Sequence, residues 1–378
     1  MPRRWRRLAS VHDNFSIDRK EALRANGTSG WPPAASPSCI IAGMQTRKLG
    51  PFTVSAVGLG CMNVSHAYGE PAPFDVASRL LLEALDLGIT HFDTAALYGF
   101  GANEELVGKV LAPHRARFTL ATKGGMYGID GKRVIDGRPD TLVRQFENSL
   151  RRLQTDTVDL FYLHRWDKRV PIEDSVGAMA TLVEQGKVRA LGLSEVSAQT
   201  LRRAHAVHPI TAVQTEYSLW TRNPEIAVID ACRELGTTFV AFSPLARGWL
   251  TNTLVDLSVI GPGDIRRTMP RFQLDHFEQN RSVLSTFAEI AREAGHSPAQ
   301  LALSWILSKY PHTLPIPGTQ SSEHLRENWA AVDLRLDPQL MNRLDRLFTP
   351  GRISGARYGA AAQSEVDTEE FAASSSAR

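Results

Sequence analysis

From about residue 44 to residue 350 one pattern of apolar and polar positions recurs eight times. Each repeat is a short apolar run, a turn containing Gly or Ser, and a longer stretch with apolar residues three and four apart. The runs end near Gly60 (VSAVGLG), Asp93 (GITHFD), Lys123 (FTLATK), His164 (VDLFYLH), Ser194 (VRALGLS), Gln214 (ITAVQ), Ser243 (TTFVAFS) and Gly318 (TLPIPG). Helix-periodic stretches fall between them: DVASRLLLEALDLG, TLVRQFENSLRRL, EDSVGAMATLVEQG, EIAVIDACRELG and AQLALSWILSK. Eight alternating strand and helix units predict an α/β fold, a (β/α)8 TIM barrel. Ahead of the first unit, MQTRKLGPFTVS has a Gly-Pro turn between two extended pieces, which suits a hairpin closing the bottom of the barrel. The alternative, a doubly wound sheet, wants G-x-G-x-x-G directly after its first strand. This chain has GLGCMN there, without the third glycine.

The periodicity also divides the chain. Residues 1–43 mix an Arg cluster with Gly, Pro, Ser and Ala and show no sustained period, so a disordered or extended N-terminal segment is expected. Residues 44–350 carry the barrel, and 351–378 read as a Gly-, Ala- and Ser-rich C-terminal tail, flexible at its end. The stretch from Leu245 to Gln279 is longer than barrel loops usually are, which marks it as a candidate lid or clasp.

Composition narrows the class. The 378 residues are 43% hydrophobic and 22% charged, with no apolar run near the roughly 18 residues that a membrane span needs. The net charge of +3 belongs to the first 43 residues, which hold seven Lys/Arg against three Asp/Glu. A near-neutral remainder offers no footprint for nucleic acid or an anionic membrane surface. Cys39, Cys61 and Cys232 are too few and too scattered for a disulfide framework or a zinc site. The arginines near the N-terminus are not followed by an apolar core, so no export signal is expected and the reading is cytoplasmic.

In a barrel the strand C-termini converge on one mouth, where active sites lie. Asp93, Lys123 and His164 end the second, third and fourth runs and would be neighbours there, and Tyr98 follows Asp93 by five positions. Singly, each reads as well as a helix cap, a rim charge or a structural histidine; together they make chemical sense. A phenol with a pKa near 10 is a poor proton donor at neutral pH, and a nearby ammonium favours its phenolate. A carboxylate would hold that ammonium charged and aimed, and a histidine would orient a carbonyl oxygen. This is apparatus for carbonyl reduction.

The motifs FDTAALYG, LATKGG, DLFYLHR, GLSEVS, QTEYSLWTR, FSPLARGWLT and IPGT followed by LREN resemble the aldo-keto reductase family in order, spacing and identity, over about Gln45 to Leu347. RRAHAVHP and EYSLWTR resemble the branch that contains perakine reductase. The resemblance implies that Tyr98 is the catalytic acid, that Lys123 and Asp93 tune it, and that His164 orients the substrate. It also implies a nicotinamide coenzyme held on the barrel itself. Ser194 and Gln214 would meet the carboxamide and Phe242 would stack on the ring. Ser243, Leu245, Arg247 and Gly248 would grip the pyrophosphate; Gly318, Thr319, Gln320, Glu327 and Asn328 would hold the adenosine end. No metal is implied, and the partner is a small-molecule carbonyl substrate.

Three departures from the family pattern stand out. Glu195 follows Ser194 where many members have Asn, and Phe242 replaces the common Tyr, which keeps the ring and loses a hydroxyl. Gln320 sits where many NADPH-selective members place Lys or Arg, so NADPH is the expected coenzyme with a reduced preference over NADH unless Arg326 compensates. Met62, Tyr127, Trp166 and Trp220 are expected to wall the mouth, with the segment Ile353 to Tyr358 draped across it. The competing readings are a coenzyme-binding regulatory subunit on the same barrel, similar to potassium-channel β subunits, and a metal-dependent hydrolase, for which Asp93 and His164 are too few.

Overall fold

The computed structural model of the chain describes residues 45–65, 67–251, 254 and 256–371. The expectations for residues 1–43, for Cys39 and for 372–378 lie outside them. The described chain opens with an antiparallel hairpin, β1 (Thr46–Leu49) and β2 (Phe52–Ser55). Its turn is at Gly50, whose φ of +56° an L side chain rarely adopts, and Pro51 follows.

Eight parallel strands come next and lie side by side in chain order: β3 (Leu59–Gly60), β4 (His91–Asp93), β5 (Thr119–Gly124), β8 (Val158–Leu163), β9 (Val188–Ser194), β10 (Ile210–Glu216), β11 (Thr238–Phe242) and β12 (Thr313–Pro315). The two outer strands meet each other. Gly58 N donates to Pro315 O at 3.0 Å and Gly60 N to Pro317 O at 3.2 Å, which closes the sheet into the barrel that the eight repeats predict. Glycine permits the approach, because a Cβ on Gly60 would lie 2.9 Å from Ile316 O.

The helices form where the sequence has 3.6-residue periodicity and cap residues. Leu142, Phe146, Leu150 and Leu153 share one buried face of α3 (Pro139–Leu153), which starts with proline in its first turn and ends on Gln154 in the left-handed region. Ser297 opens α8 (Pro298–Lys309) with a capping box, its hydroxyl accepting from Gln300 N while the Gln300 side chain reaches back. The other barrel helices are α1 (Phe74–Leu87), α2 (Ala102–Leu111), α4 (Ile172–Glu184), α5 (Ala198–Val207), α6 (Val228–Leu235) and α9 (Ser322–Ala330), with α7 (Leu274–Glu293), α10 (Pro338–Leu347) and a short α11 (Ala360–Ser364) added around them.

Inside the strands the period is two. Ala121, Leu160, Tyr162, Ala190, Ala212, Val240 and Leu314 fill the barrel, and Leu49 and Val54 of the hairpin pack up against them from below. Thr238, the first residue of β11, donates its hydroxyl to Lys48 O at 2.9 Å, so the hairpin does seal the N-terminal ends of the strands. Counting on by two from these packed residues reaches Lys123 from Ala121, His164 from Tyr162, Ser194 from Ala190, Gln214 from Ala212 and Phe242 from Val240. One alternation therefore builds both the core and the mouth.

Three segments go beyond the sequence expectation. The Leu245–Gln279 stretch is not a plain loop: short 3-10 turns run from Ala246 to Phe272, and α7 starts at Leu274. It spans the mouth, with Ile265 N donating to Ala67 O at 2.9 Å on the loop after β3. After β5 the chain makes a second hairpin, β6 (Met126–Ile129) and β7 (Lys132–Ile135), that no apolar period announces. The tail is the third: Asp367 N donates to Glu195 O at 2.9 Å, and the Asp367 and Glu369 carboxylates accept from Ser197 N and Ala198 N at the start of α5. Two acidic side chains thus pin it to a helix N-terminus at Asp367 and Glu369, and the end expected to be flexible lies in residues 372–378, outside the described ones.

Candidate active site

At the C-terminal mouth of the barrel opens a cavity of about 530 Å³, within the range of cofactor sites. Asp93, Tyr98 and His164, singled out in the sequence, line it, and Lys123 lies buried behind them. The Lys123 ammonium is fully buried, forms an ion pair with Asp93 Oδ1, donates to Thr94 O at 2.9 Å and reaches the Tyr98 hydroxyl at 3.3 Å. An unpaired buried ammonium would cost several kcal/mol, so the carboxylate is what allows it there. The second oxygen of Asp93 accepts from Gln214 Nε2 at 2.7 Å. His164 stands edge-on to Tyr98, ring centres 5.8 Å apart and planes at 86°.

Electrostatics in this cluster run partly against the simple expectation. Burial pushes the Tyr98 phenol above its ordinary value, and the pull of Lys123 in the other direction does not overcome it. Burial alone would lower Lys123, but Asp93 and Tyr98 outweigh it and hold the ammonium above its usual range. The site therefore keeps a protonated phenol beside a charged ammonium, which is the resting state that a proton donor needs.

All twelve residues expected to hold a coenzyme line this one cavity: Ser194, Gln214, Phe242, Ser243, Leu245, Arg247, Gly248, Gly318, Thr319, Gln320, Glu327 and Asn328. Two observations test whether they suit a dinucleotide. Ser243, Ala246, Arg247 and Gly248 all have positive φ (48°, 50°, 58° and 98°); Ala246 N and Gly248 N close this tight turn on Ser243 O and Leu245 O, and the turn sets the Arg247 guanidinium, a group suited to phosphate, on the cavity wall. At the other end the buried Asn328 Oδ1 has no hydrogen-bond partner among the described residues, an acceptor left for a ligand donor. Gly318 keeps that end narrow, since a Cβ there would meet Asn63 Oδ1 at 2.3 Å and Gly60 O at 2.8 Å. The residues fit. Among the described residues no three His, Cys, Asp or Glu side chains come together to hold a metal ion.

Several expectations need revision. Of the four side chains expected to wall the mouth, only Met62 does so. In β6 it is Met126 that lines the cavity rather than Tyr127, one residue along an alternating strand. Trp166 packs under Arg203 and donates to Val170 O at 2.9 Å, while Trp220 stacks on Trp249 at 5.0 Å inside the core. Gln320 donates to Asn63 O at 2.5 Å, and Arg326 pairs with Glu83 outside the cavity, so Arg326 does not replace the missing cation. Glu195 turns away from the cavity: its carboxylate pairs with buried Arg357 and accepts from Glu216 N at 3.0 Å.

Tyr68, Arg133 and Arg165 also line the cavity and were not picked out by sequence reasoning. Arg247 is held by Glu216 at 2.9 Å and by the hydroxyls of Tyr68 and Tyr358 at 3.2 and 3.1 Å, so the Ile353–Tyr358 segment does reach the site. Arg165 is near enough to Tyr98 for its charge to act on the phenol. The one sequence signal for Arg165 was its place directly after His164.

Comparison with known proteins places this geometry. The profile described as the aldo/keto reductase family matches residues 56–348. The chain is 39% identical over 328 residues to the NADP(+) aldo-keto reductase yakc of Schizosaccharomyces pombe, covering 85% of this chain and 96% of that one. Among solved structures it is similar to a glycerol dehydrogenase of Gluconobacter oxydans (TM-score 0.74, 28% identity, 83% of this chain and 98% of that one). It is also similar to an aldo-keto reductase of Klebsiella pneumoniae in complex with NADPH (TM-score 0.65, 28% identity, 84% and 99%).

Proposed function

The chain belongs to the aldo/keto reductase family, and from that premise we propose that it reduces aldehydes or ketones with NADPH, Tyr98 being the general acid. The observation that carries the reading is the buried ammonium of Lys123, held by the Asp93 carboxylate and the Tyr98 hydroxyl, both of which line the cavity. NADP(+) is named for yakc and NADPH for the Klebsiella pneumoniae structure, and Gln320 leaves room for NADH as well.

When bound, the reduced nicotinamide supplies a hydride to the carbonyl carbon. The chain's own residues do the rest. Ser194 and Phe242 would flank the nicotinamide end, the turn from Ser243 to Gly248 with the Arg247 guanidinium would take the phosphates, and Asn328 with Glu327 would take the adenosine end. Tyr98 donates its proton to the carbonyl oxygen as negative charge develops there, so the alkoxide is never released. Lys123 stabilises the phenolate left behind, and Asp93, itself fixed by Gln214, keeps Lys123 charged and aimed. His164 orients the carbonyl oxygen toward the phenol. General-acid catalysis of this kind contributes about 10²–10⁴ in rate.

The test is coenzyme consumption by the parent chain and Tyr98→Phe on a panel of aldehydes, with NADPH and NADH in parallel. The expected result is a loss of about two or more decades in kcat/KM while the variant still binds coenzyme. A parent no faster than the variant on every substrate overturns the reading and favours a coenzyme-sensing role. The ratio of NADPH to NADH turnover reads out what Gln320 costs.

A further inference from the structure

Charge at the substrate end of the cavity is unbalanced. The acidic residues that line the whole cavity are Asp93 and Glu327. Asp93 is committed to Lys123 and Gln214, and Glu327 belongs with the adenosine end. Against them, Arg133 and Arg165 also line the cavity, Arg165 beside His164 and Tyr98. Arg133 is answered by Glu365, at 2.5 Å. No carboxylate among the described residues answers Arg165. Its Nη1 donates to His164 O at 2.6 Å and to Ser194 Oγ at 3.2 Å, and those two contacts fix the guanidinium beside the reacting group. Nε and Nη2 make no hydrogen bond among the described residues, yet neither is sealed from solvent space. Arg165 lines the cavity and so keeps two N–H-bearing atoms uncommitted there, with its charge acting on the Tyr98 phenol.

A guanidinium anchored through one nitrogen, with two more uncommitted, in the lining of a cavity that Met62, Leu97 and Met126 also line, suits a planar anion. We propose that the substrates this chain prefers are carbonyl compounds that also carry a carboxylate a few bonds from the carbonyl, and that Arg165 binds this carboxylate. The inference rests on the reductase reading above. It explains why Arg165 is held by a backbone oxygen and a hydroxyl instead of a carboxylate, since an acidic partner in the protein would compete with the substrate.

The experiment compares 4-oxobutanoate with 4-methylpentanal, in which an isopropyl group replaces the carboxylate, and 4-carboxybenzaldehyde with 4-isopropylbenzaldehyde. Each is assayed with the parent, Arg165→Met and Arg165→Lys. The expected ratio of kcat/KM, charged over uncharged, is about tenfold or more in the parent, carried mainly by KM. It collapses toward one in Arg165→Met and recovers partly in Arg165→Lys, which keeps the charge and loses the fork. Coenzyme titration by protein fluorescence confirms that each variant is folded. A parent that reduces the uncharged aldehydes with no preference for the charged ones overturns the proposal and leaves the reductase reading intact. So does a ratio that Arg165→Met does not change, or a loss confined to coenzyme affinity, which would make Arg165 a support for Ser194. A parent that turns over neither class overturns the reductase reading itself.

Discussion

A single buried side chain shows how residue-scale electrostatics reach stability. His91 begins β4, is fully buried, and neither ring nitrogen has a partner among the described residues. Burial pushes its pKa down to about 4 from 6.5. Below pH 6.5 the unfolded chain takes up a proton here that the folded chain refuses until about pH 4, so stability falls as pH falls across this window and levels below it. The cost integrates to about 3 kcal/mol. Replacing His91→Leu should remove that share of the acid destabilisation, measured as urea unfolding of parent and variant at pH 6.5 and 4. Equal losses in the two proteins would show that His91 is not the group responsible. The opposite case is Lys123, where a partnered charge tolerates complete burial; the difference is the carboxylate beside it.

Between elements the decisive quantity is how closely backbones approach. Gly108 in α2 faces α3, and a Cβ there would lie 2.3 Å from Arg152 O and 2.7 Å from the backbone of Leu153. Backbone cannot give way as a flexible side chain can, so Gly108→Ala should cost about 1–3 kcal/mol or more through displaced helices. Gly177, in the middle of α4, has nothing within 4 Å of the same added carbon. Gly177→Ala should therefore stabilise by up to about 1 kcal/mol, because alanine restricts the unfolded chain and favours helix. Thermal unfolding of the two variants checks the opposite signs, and a matching sign would refute the packing argument.

Across the whole molecule one buried ionic chain ties the coenzyme cavity to the C-terminal segment. Arg247 pairs with Glu216, the Glu216 backbone N–H donates to Glu195, and Glu195 pairs with Arg357. Tyr358, next in sequence, donates no charge but bonds Arg247 from above. Arg357→Met would leave the Glu195 carboxylate buried without its partner, a loss of about 3–5 kcal/mol. We expect a lower unfolding midpoint, faster proteolytic cleavage after residue 351, and weaker coenzyme binding through the misplaced Tyr358 and Arg247. Limited proteolysis followed by mass measurement would separate this from general unfolding, because release of the tail should precede cleavage within the barrel.

The eight repeats, the closing hairpin and the strand ends were all legible in the chain, because each depends on a local period: two residues in a strand, 3.6 in a helix. Asp93, Lys123 and His164 could be picked out for the same reason, since a polar residue that ends an inward-facing apolar run must emerge at the mouth. Local period says nothing about loops. The β6–β7 hairpin had only Asp130-Gly131 between short alternating runs as its signal, and register alone made Met126 rather than Tyr127 face the cavity. Trp220, Glu195, Arg165 and the tail were decided by partners far away in sequence: Trp249, Arg357, the missing carboxylate, and the start of α5. Which charge is answered and which is left open depends on what the fold brings within about 4 Å, and no pattern along the chain contains that distance.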